Sequence, residues 1–375
     1  MKVLILTQPL FHNYGGLLQA YALQETIRRL GFDVITDSPH RFKRFGKLLD
    51  WMKFLPRVVK KYLLGHKNTI LLLQYYDYVV GKNCRAFVNQ NIKVLNYDKN
   101  RTAQDFSAFV VGSDQVWRPA YNMGRQQKYF LNFAEGSDVI RLAYAASFGL
   151  DSAIEYDEPL LNECSQLLKQ FDGVSVREDS GVDICRDSFG VESIHVLDPT
   201  MLLECADYDD LIKSDFSSVS VDSLGKLVTY ILDASSDKDA FIDNACKSLN
   251  SERFEISARR YNGMTVNLKQ AQLAPISHWL KSIRDASYVI TDSFHGMVFS
   301  ILFHKPFVVL INESRGAARF ISLLKLLGLQ SRIASDAQGT LALLQTPINY
   351  EVVDEVLRKK REYSLGFLKT YLKKQ

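Results

Sequence analysis

Tyr288-Val289-Ile290-Thr291-Asp292-Ser293-Phe294-His295-Gly296-Met297-Val298-Phe299-Ser300-Ile301-Leu302-Phe303 changes chemical character twice in a short space. Tyr288 to Thr291 has the β-branched and aromatic make-up of a buried strand, whereas Gly296 to Phe303 is an apolar run that reads as a buried helix. Thr291, Asp292 and Ser293 between them are residues that turn or cap a chain. A strand passing into a helix through a few polar residues is the unit from which α/β folds are built. In open α/β sheets, ligands bind beyond the carboxyl ends of the strands, where N–H groups at helix N-termini face outward. His295 therefore falls at a helix N-terminus facing a cleft, and Gly296 allows close backbone approach.

The same unit recurs on either side. The chain opens with a strand, Lys2 to Thr7, then the turn His12-Asn13-Tyr14-Gly15-Gly16 and a helical pattern through Leu18, Leu23, Ile27 and Leu30. Strand-like runs follow at Ala108 to Val111, Leu142 to Phe148, Val174 to Val176 and Ile194 to Leu197, with a helix over Glu158 to Phe171. Asp198-Pro199 ends that series, and the polar stretch Asp207 to Ser223 reads as a connector. The pattern restarts with the strand Lys226 to Leu232, the helix Asp237 to Leu249, a strand at Arg253 to Ser257 and the helix His278 to Ala286. Beyond the opening stretch it continues with the strand Pro306 to Ile311 and the helix Ala317 to Leu327. The expectation is an α/β protein of two Rossmann-like, doubly wound domains, residues 1–205 and 206–345, with the active site in the cleft between them. Residues 346–375 add a basic helix, Tyr350 to Lys373, that packs back on the first domain.

Composition sets limits on function. At 375 residues, 47% hydrophobic and 23% charged, the chain can bury two ordinary cores. Its longest apolar stretches fall short of the roughly 20 residues that cross a bilayer. The N-terminus enters a strand at once, so a cytoplasmic location is expected. Five scattered cysteines carry no C-x-x-C spacing, which suggests neither a disulfide framework nor a metal site. Residues 41–67 form a basic insertion with nine Lys/Arg against one acid, Asp50, so the rest of a chain of net charge +4 is acidic. That concentration argues against a general nucleic-acid binder. Its basic residues interleave with Phe42, Phe45, Trp51 and Phe54, which suits either contact with the inner face of the membrane over 41–64 or a basic hairpin packed on the domain.

Polar residues at the strand ends are the candidates for chemistry. His295 can hold or deliver a proton near neutral pH. The competing structural reading leaves Thr291, Asp292 and Ser293 as caps and His295 bonded to a carbonyl. Arg177, after the strand Val174 to Val176, offers a planar fork to a carboxylate or phosphate, against a plain salt bridge to Glu178 or Asp179. Ser113, Asp114, Gln115 and Trp117 follow another strand, and the alternative there is Asp114 as an N-cap and Trp117 as packing. Asn13, Tyr14 and Gly15 form a glycine turn before a helix, a weak phosphate signal without the full fingerprint spacing. Arg315 and Arg319 start a later helix and either reach the cleft or lie on a solvated face.

Taken in order, Asn13-Tyr14-Gly15, Gly112-Ser113-Asp114-Gln115-Val116-Trp117, Tyr144-Ala145-Ala146-Ser147-Phe148-Gly149, Ser175-Val176-Arg177-Glu178, Val196-Leu197-Asp198-Pro199-Thr200 and Thr291-Asp292-Ser293-Phe294-His295-Gly296 resemble the polysaccharide pyruvyltransferase family over about residues 1–330. The resemblance implies a glycosyltransferase-B-like fold, phosphoenolpyruvate as donor and co-substrate with no cofactor or metal, and a hexose of a cell-surface glycan as acceptor, lipid-linked or free. It implies His295 as the catalytic residue, with Arg177, Ser293, Gly296 and one of Arg315 or Arg319 at the donor. Many members carry Arg-Leu-His where this chain has Ser293-Phe294-His295, so a downstream arginine is expected to replace the missing charge. Two other readings stay open: a nucleotide-sugar glycosyltransferase of the same fold, and a non-catalytic membrane-surface scaffold of polysaccharide assembly.

Overall fold

Val3 to Leu6 is an unbroken apolar run buried on both faces of strand β1 (Lys2–Leu6), as parallel strands covered by helices require. The computed structural model describes residues 1–37, 79–95, 105–214, 221–256, 272–311, 316–334 and 337–373; the basic insertion 41–67 and Arg315 lie outside the described residues. After β1 come α1 (Tyr14–Arg29), β2 (Asp33–Asp37), α2 (Lys82–Asn91), β3 (Ala108–Val111), α3 (Pro119–Asn122), β4 (Ile140–Ala146), α4 (Glu158–Leu168), β5 (Gly173–Val176), α5 (Asp179–Asp187), β6 (Ile194–His195) and α6 (Cys205–Lys213). The second series is β7 (Leu227–Tyr230), α7 (Ser236–Leu249), β8 (Arg253–Glu255), α8 (Ile276–Arg284), β9 (Tyr288–Thr291), α9 (Phe294–Leu302), β10 (Phe307–Val309), α10 (Ala318–Leu326), α11 (Ala337–Gln345) and α12 (Tyr350–Leu372).

The strands form two parallel sheets, one ordered β2-β1-β3-β4-β5-β6 and the other β8-β7-β9-β10. Both start with the second strand beside the first and then reverse direction, so the strand order switches between β1 and β3 and again between β7 and β9. Loops diverge from such a switch point and leave a crevice at the carboxyl ends of the strands. The loops after β1, β3 and β9, with the first turns of the helices α1 and α9, carry Asn13 to Gly15, Ser113 to Trp117 and Asp292 to Gly296.

One hydrophobic cluster joins one face of the first sheet to the second unit, while two smaller clusters fill the outer faces. Tyr14 of α1 stacks on Trp279 of α8 at 5.6 Å and donates its hydroxyl to the Ala274 carbonyl at 2.8 Å. Tyr208 of α6 meets Phe299 of α9 edge-on at 4.8 Å. Helix α12 lies on the first sheet, where Phe367 meets Tyr144 and Ser364 Oγ accepts the Leu197 N–H at 3.1 Å. All five cysteines are unpaired thiols. Among the described residues no helix is long and apolar enough to cross a membrane.

Two expectations need correcting. The stretch read as a connector from Asp207 begins inside a helix, α6, because Glu204 and Asp207 form a reciprocal capping box and Tyr208, Leu211 and Ile212 turn one apolar stripe inward. Strand β4 ends at Ala146 instead of Phe148, because Ala145 takes a left-handed conformation (φ 52°) and shifts the register between Ala143 and Ala146. Ser175 Oγ bridges that bulge, donating to the Ala143 carbonyl at 2.8 Å and accepting the Ala145 N–H at 3.2 Å. β2, which no sequence pattern signalled, is short and flanked by Asp33 and Asp37.

Candidate active site

The carboxyl ends of β3, β5 and β6 bring together Ser113, Arg177 and Asp198. Arg177 Nη1 donates to Asp198 Oδ2 at 2.8 Å and to Ser113 Oγ at 3.3 Å, and Ser113 Oγ donates to the same Asp198 oxygen at 3.0 Å. Both members of the ion pair are almost wholly buried, each with 1% of its side chain exposed. Burial alone would raise the Asp198 pKa, but His295 and Arg177 outweigh it and hold the carboxyl well below the ordinary range. Burial likewise works against the Arg177 charge, and the carboxylates of Asp198, Asp114 and Glu178 outweigh it, so its pKa rises. Its Nε and Nη2 have no hydrogen-bond partner among the described residues, and Asp114 Oδ1 stands 3.9 Å from Nη2.

From the second unit, α9 delivers Phe294 and His295. Ser293 starts the helix as its N-cap, accepting the Gly296 N–H at 3.3 Å. His295 Nε2 points at Asp198 Oδ2 from 3.7 Å and has no hydrogen-bond partner among the described residues. Its other side rests on α1, where a Cβ at Gly15 would come within 2.0 Å of His295 Nδ1. Phe294 carries two guanidiniums against its ring, Arg177 at 4.8 Å and Arg319 at 5.5 Å. Arg319, on α10, is buried, and burial followed by the like charge of Arg177 pulls it down to about 10. The two guanidiniums repel each other there, and the carboxylates of Asp114 and Glu178 offset part of that repulsion.

Glu178 occupies the floor beside them. Its Oε1 accepts from Ser147 Oγ at 2.9 Å, the Phe148 N–H at 2.8 Å and the Gly149 N–H at 3.1 Å, and burial pushes its pKa up. The β4 bulge turns these three donors toward it. Asp292 is also buried, but it serves the second unit, accepting the N–H groups of Leu232 and Asp233 and the Lys238 ammonium at 2.7 Å.

Of the residues singled out in the sequence, the structure gathers Ser113, Asp114, Gly15, Arg177, His295 and Arg319. Asn13 stands at the rim as the N-cap of α1, accepting the Gly16 N–H. The others take structural positions. Trp117 is fully buried, stacked on Phe130, with its indole N–H given to the Tyr129 carbonyl. Tyr14 is committed to the contact between the two units. Ser293 and Gly296 satisfy each other, and Gly296 is small because a Cβ there would lie 2.4 Å from Thr291 Oγ1. Gln115 packs on Gly149 and accepts from Arg118 at 3.2 Å. Asp198 and Glu178 were given no part in the chemistry, although Asp198 follows the last strand of its series, the position that marks the others. An open groove of about 740 Å³ lies elsewhere, between α12 and strands β5 and β6, lined by Phe171, Val191, Ile194, Tyr363, Phe367 and Tyr371. None of the gathered residues borders it.

The family model for polysaccharide pyruvyl transferases matches residues 13–314. No curated protein matches the sequence significantly. Among solved structures, the UDP-GlcNAc 2-epimerase from Neisseria meningitidis bound to UDP-GlcNAc is similar with a TM-score of 0.52 at 9% identity, covering 100% of both chains. The Methanocaldococcus jannaschii UDP-GlcNAc 2-epimerase in complex with UDP-GlcNAc and UDP gives 0.49 at 12% identity, over 96% of this chain and 94% of that one. The first likeness shows the fold, a pair of Rossmann-like units of the glycosyltransferase-B kind.

Proposed function

The chain belongs to the polysaccharide pyruvyl transferase family, and on that premise we propose that it moves pyruvate from phosphoenolpyruvate onto two hydroxyls of one hexose in a cell-surface polysaccharide precursor. The observation that carries the reading is the pairing of Arg177 and Arg319 around Phe294, with two guanidinium nitrogens of Arg177 making no hydrogen bond among the described residues and His295 close by. A small donor with a carboxylate and a phosphate can accept from the two Arg177 nitrogens that make no hydrogen bond among the described residues, each charge-assisted bond contributing about 1.5–3 kcal/mol. Arg319 takes the place of the arginine that many members carry where Ser293 stands here. Arg315 is a further candidate by sequence alone.

In this reading His295 manages the proton that makes the donor electrophilic. Protonation of the methylene carbon leaves an oxocarbenium-like C2, stabilised by fixed charges that need no reorganisation. One sugar hydroxyl adds to C2, the phosphate oxygen leaves, and the second hydroxyl closes the ring. Of the two hydroxyl protons, one balances the new methyl group and the other leaves with phosphate. Hydroxyls in a 1,3 relation, such as the 4- and 6-positions of galactose, close a six-membered ketal. The basic and aromatic sequence of residues 41–64 supports a lipid-linked acceptor met at the membrane surface, for which binding to anionic vesicles is the check.

Calorimetric titration tests the donor assignment. Phosphoenolpyruvate is expected to bind wild type and to bind Arg177→Lys at least tenfold more weakly, because lysine keeps the charge but loses the fork. Binding of a UDP-sugar with no heat from phosphoenolpyruvate would replace this reading with that of a nucleotide-sugar glycosyltransferase, which the fold also accommodates.

A further inference from the structure

We infer that Asp198 is the positioning residue of this site, one carboxylate that fixes the Arg177 fork and holds the proton-bearing edge of His295 across the gap between the two units. The inference rests on the proposed role of His295, and the contacts divide cleanly between the two oxygens. Oδ1 is occupied by Thr200, through its N–H at 3.0 Å and its hydroxyl at 2.7 Å, which stops the carboxylate from rotating. Oδ2 receives Arg177 at 2.8 Å and Ser113 at 3.0 Å and faces His295 Nε2 at 3.7 Å. That separation is too long for a hydrogen bond, and a ring movement of under about 1 Å closes it.

Among the described residues, Asp198 is the carboxylate within ion-pair distance of the His295 ring. Gly15 of α1 presents backbone to Nδ1, and Phe294 lies edge-on at 5.3 Å. Asp114 stands 3.9 Å from Arg177 and beside Gly16, Arg319 lies across Phe294, and Glu178 is engaged by Ser147, Phe148 and Gly149. An imidazolium at this position draws its counter-charge from Oδ2, the oxygen that Arg177 and Ser113 already share. Anything that weakens Oδ2 as an anion weakens its hold on the ring proton, and anything that removes a competing donor strengthens it.

Two variants pull in opposite directions. Asp198→Asn keeps the shape and loses the charge; Ser113→Ala keeps the charge and removes one donor to Oδ2. The readout is the pH at which the His295 ring nitrogens change their NMR signals, assigned by their loss in His295→Ala, followed in the full chain without substrate. Asp198→Asn is expected to move that change about one to three units to lower pH, and Ser113→Ala to move it to higher pH. In turnover, kcat of Asp198→Asn falls about a hundredfold and the high-pH limb of its kcat profile moves in the same direction as the NMR change. Should Asp198→Asn fail to fold, Ser113→Ala alone decides by the sign of its shift. Superimposable titrations in folded variants would overturn the inference and leave Asp198 a structural counter-ion of Arg177. Because the NMR arm needs no phosphoenolpyruvate, its outcome is separate from failure of the proposed reaction.

Discussion

Arg177 and Asp198 are joined so deeply that removing either leaves a charge without its partner. Breaking a buried pair from one side costs about 3–5 kcal/mol, so Arg177→Ala is expected to lower the chemical-denaturation stability by that order, and loss of activity in that variant is ambiguous. Arg177→Lys is the better probe of function. The pair also predicts an acid response. The native Asp198 carboxyl is held below the ordinary aspartate value of 3.8, so its contribution is present above that value and is lost as pH falls below it. Denaturant midpoints should show the gap between wild type and Asp198→Asn narrowing below about pH 4; a constant gap from neutrality to pH 2 would contradict the depressed carboxyl. At this scale the sequence was informative about residue type and misleading about partners. Arg177 stands beside Glu178 and Asp179, the obvious mates, yet neighbouring side chains on an extended backbone point apart. Its partner comes from beyond the end of β6, where Asp198 caps the short 3-10 turn that Pro199 and Thr200 begin.

Two elements meet at His295, and their meeting depends on a missing side chain. Gly15 lies in the first turn of α1 against the imidazole, so Gly15→Ala must displace the ring. Turnover is expected to fall at least tenfold while the melting temperature changes by only a few degrees, since a helical alanine is intrinsically favourable by about 1 kcal/mol. Retention of full activity would mean that the position of His295 in this structure is not the working one. Ser175→Ala removes both hydrogen bonds that bridge Ala143 and Ala145 and should cost about 1–3 kcal/mol in stability. Strand–turn–helix order was legible from runs such as Tyr288 to Phe303 because hydrophobic period and capping residues mark it. The bulge was not, since Ala145 in a left-handed conformation has no local signature and is held by Ser175 of the neighbouring strand. α6 was missed for a different reason: its acids read as connector, and only the capping box and the inward Tyr208 reveal the helix.

The whole molecule closes around the site on a backbone contact. A Cβ at Gly316, in the second unit, would stand 1.8 Å from the Gly149 carbonyl oxygen in the first, and Gly316 has φ 94°, which disfavours any side chain. Gly316→Ala should therefore hold the two lips apart and raise KM for the donor several-fold more than it lowers kcat, measurable by initial rates. Two parallel sheets with the same switch in strand order were foreseeable from the repeated strand–helix pattern. Which loops touch across the gap was not, because sequence order carries no distance between separate sheets. Pyruvyl transfer in the crevice between the units remains the proposed activity of the whole molecule. The most direct test is acceptor-dependent release of phosphate from phosphoenolpyruvate with free and lipid-linked hexosides, comparing wild type, Arg177→Lys and His295→Ala, with mass spectrometry of the sugar. Phosphate release coupled to a ketal-bearing sugar is expected in wild type, with kcat reduced at least a hundredfold in His295→Ala; phosphate release and sugar product unchanged in His295→Ala, or no reaction with any hexoside, would refute pyruvyl transfer at this site.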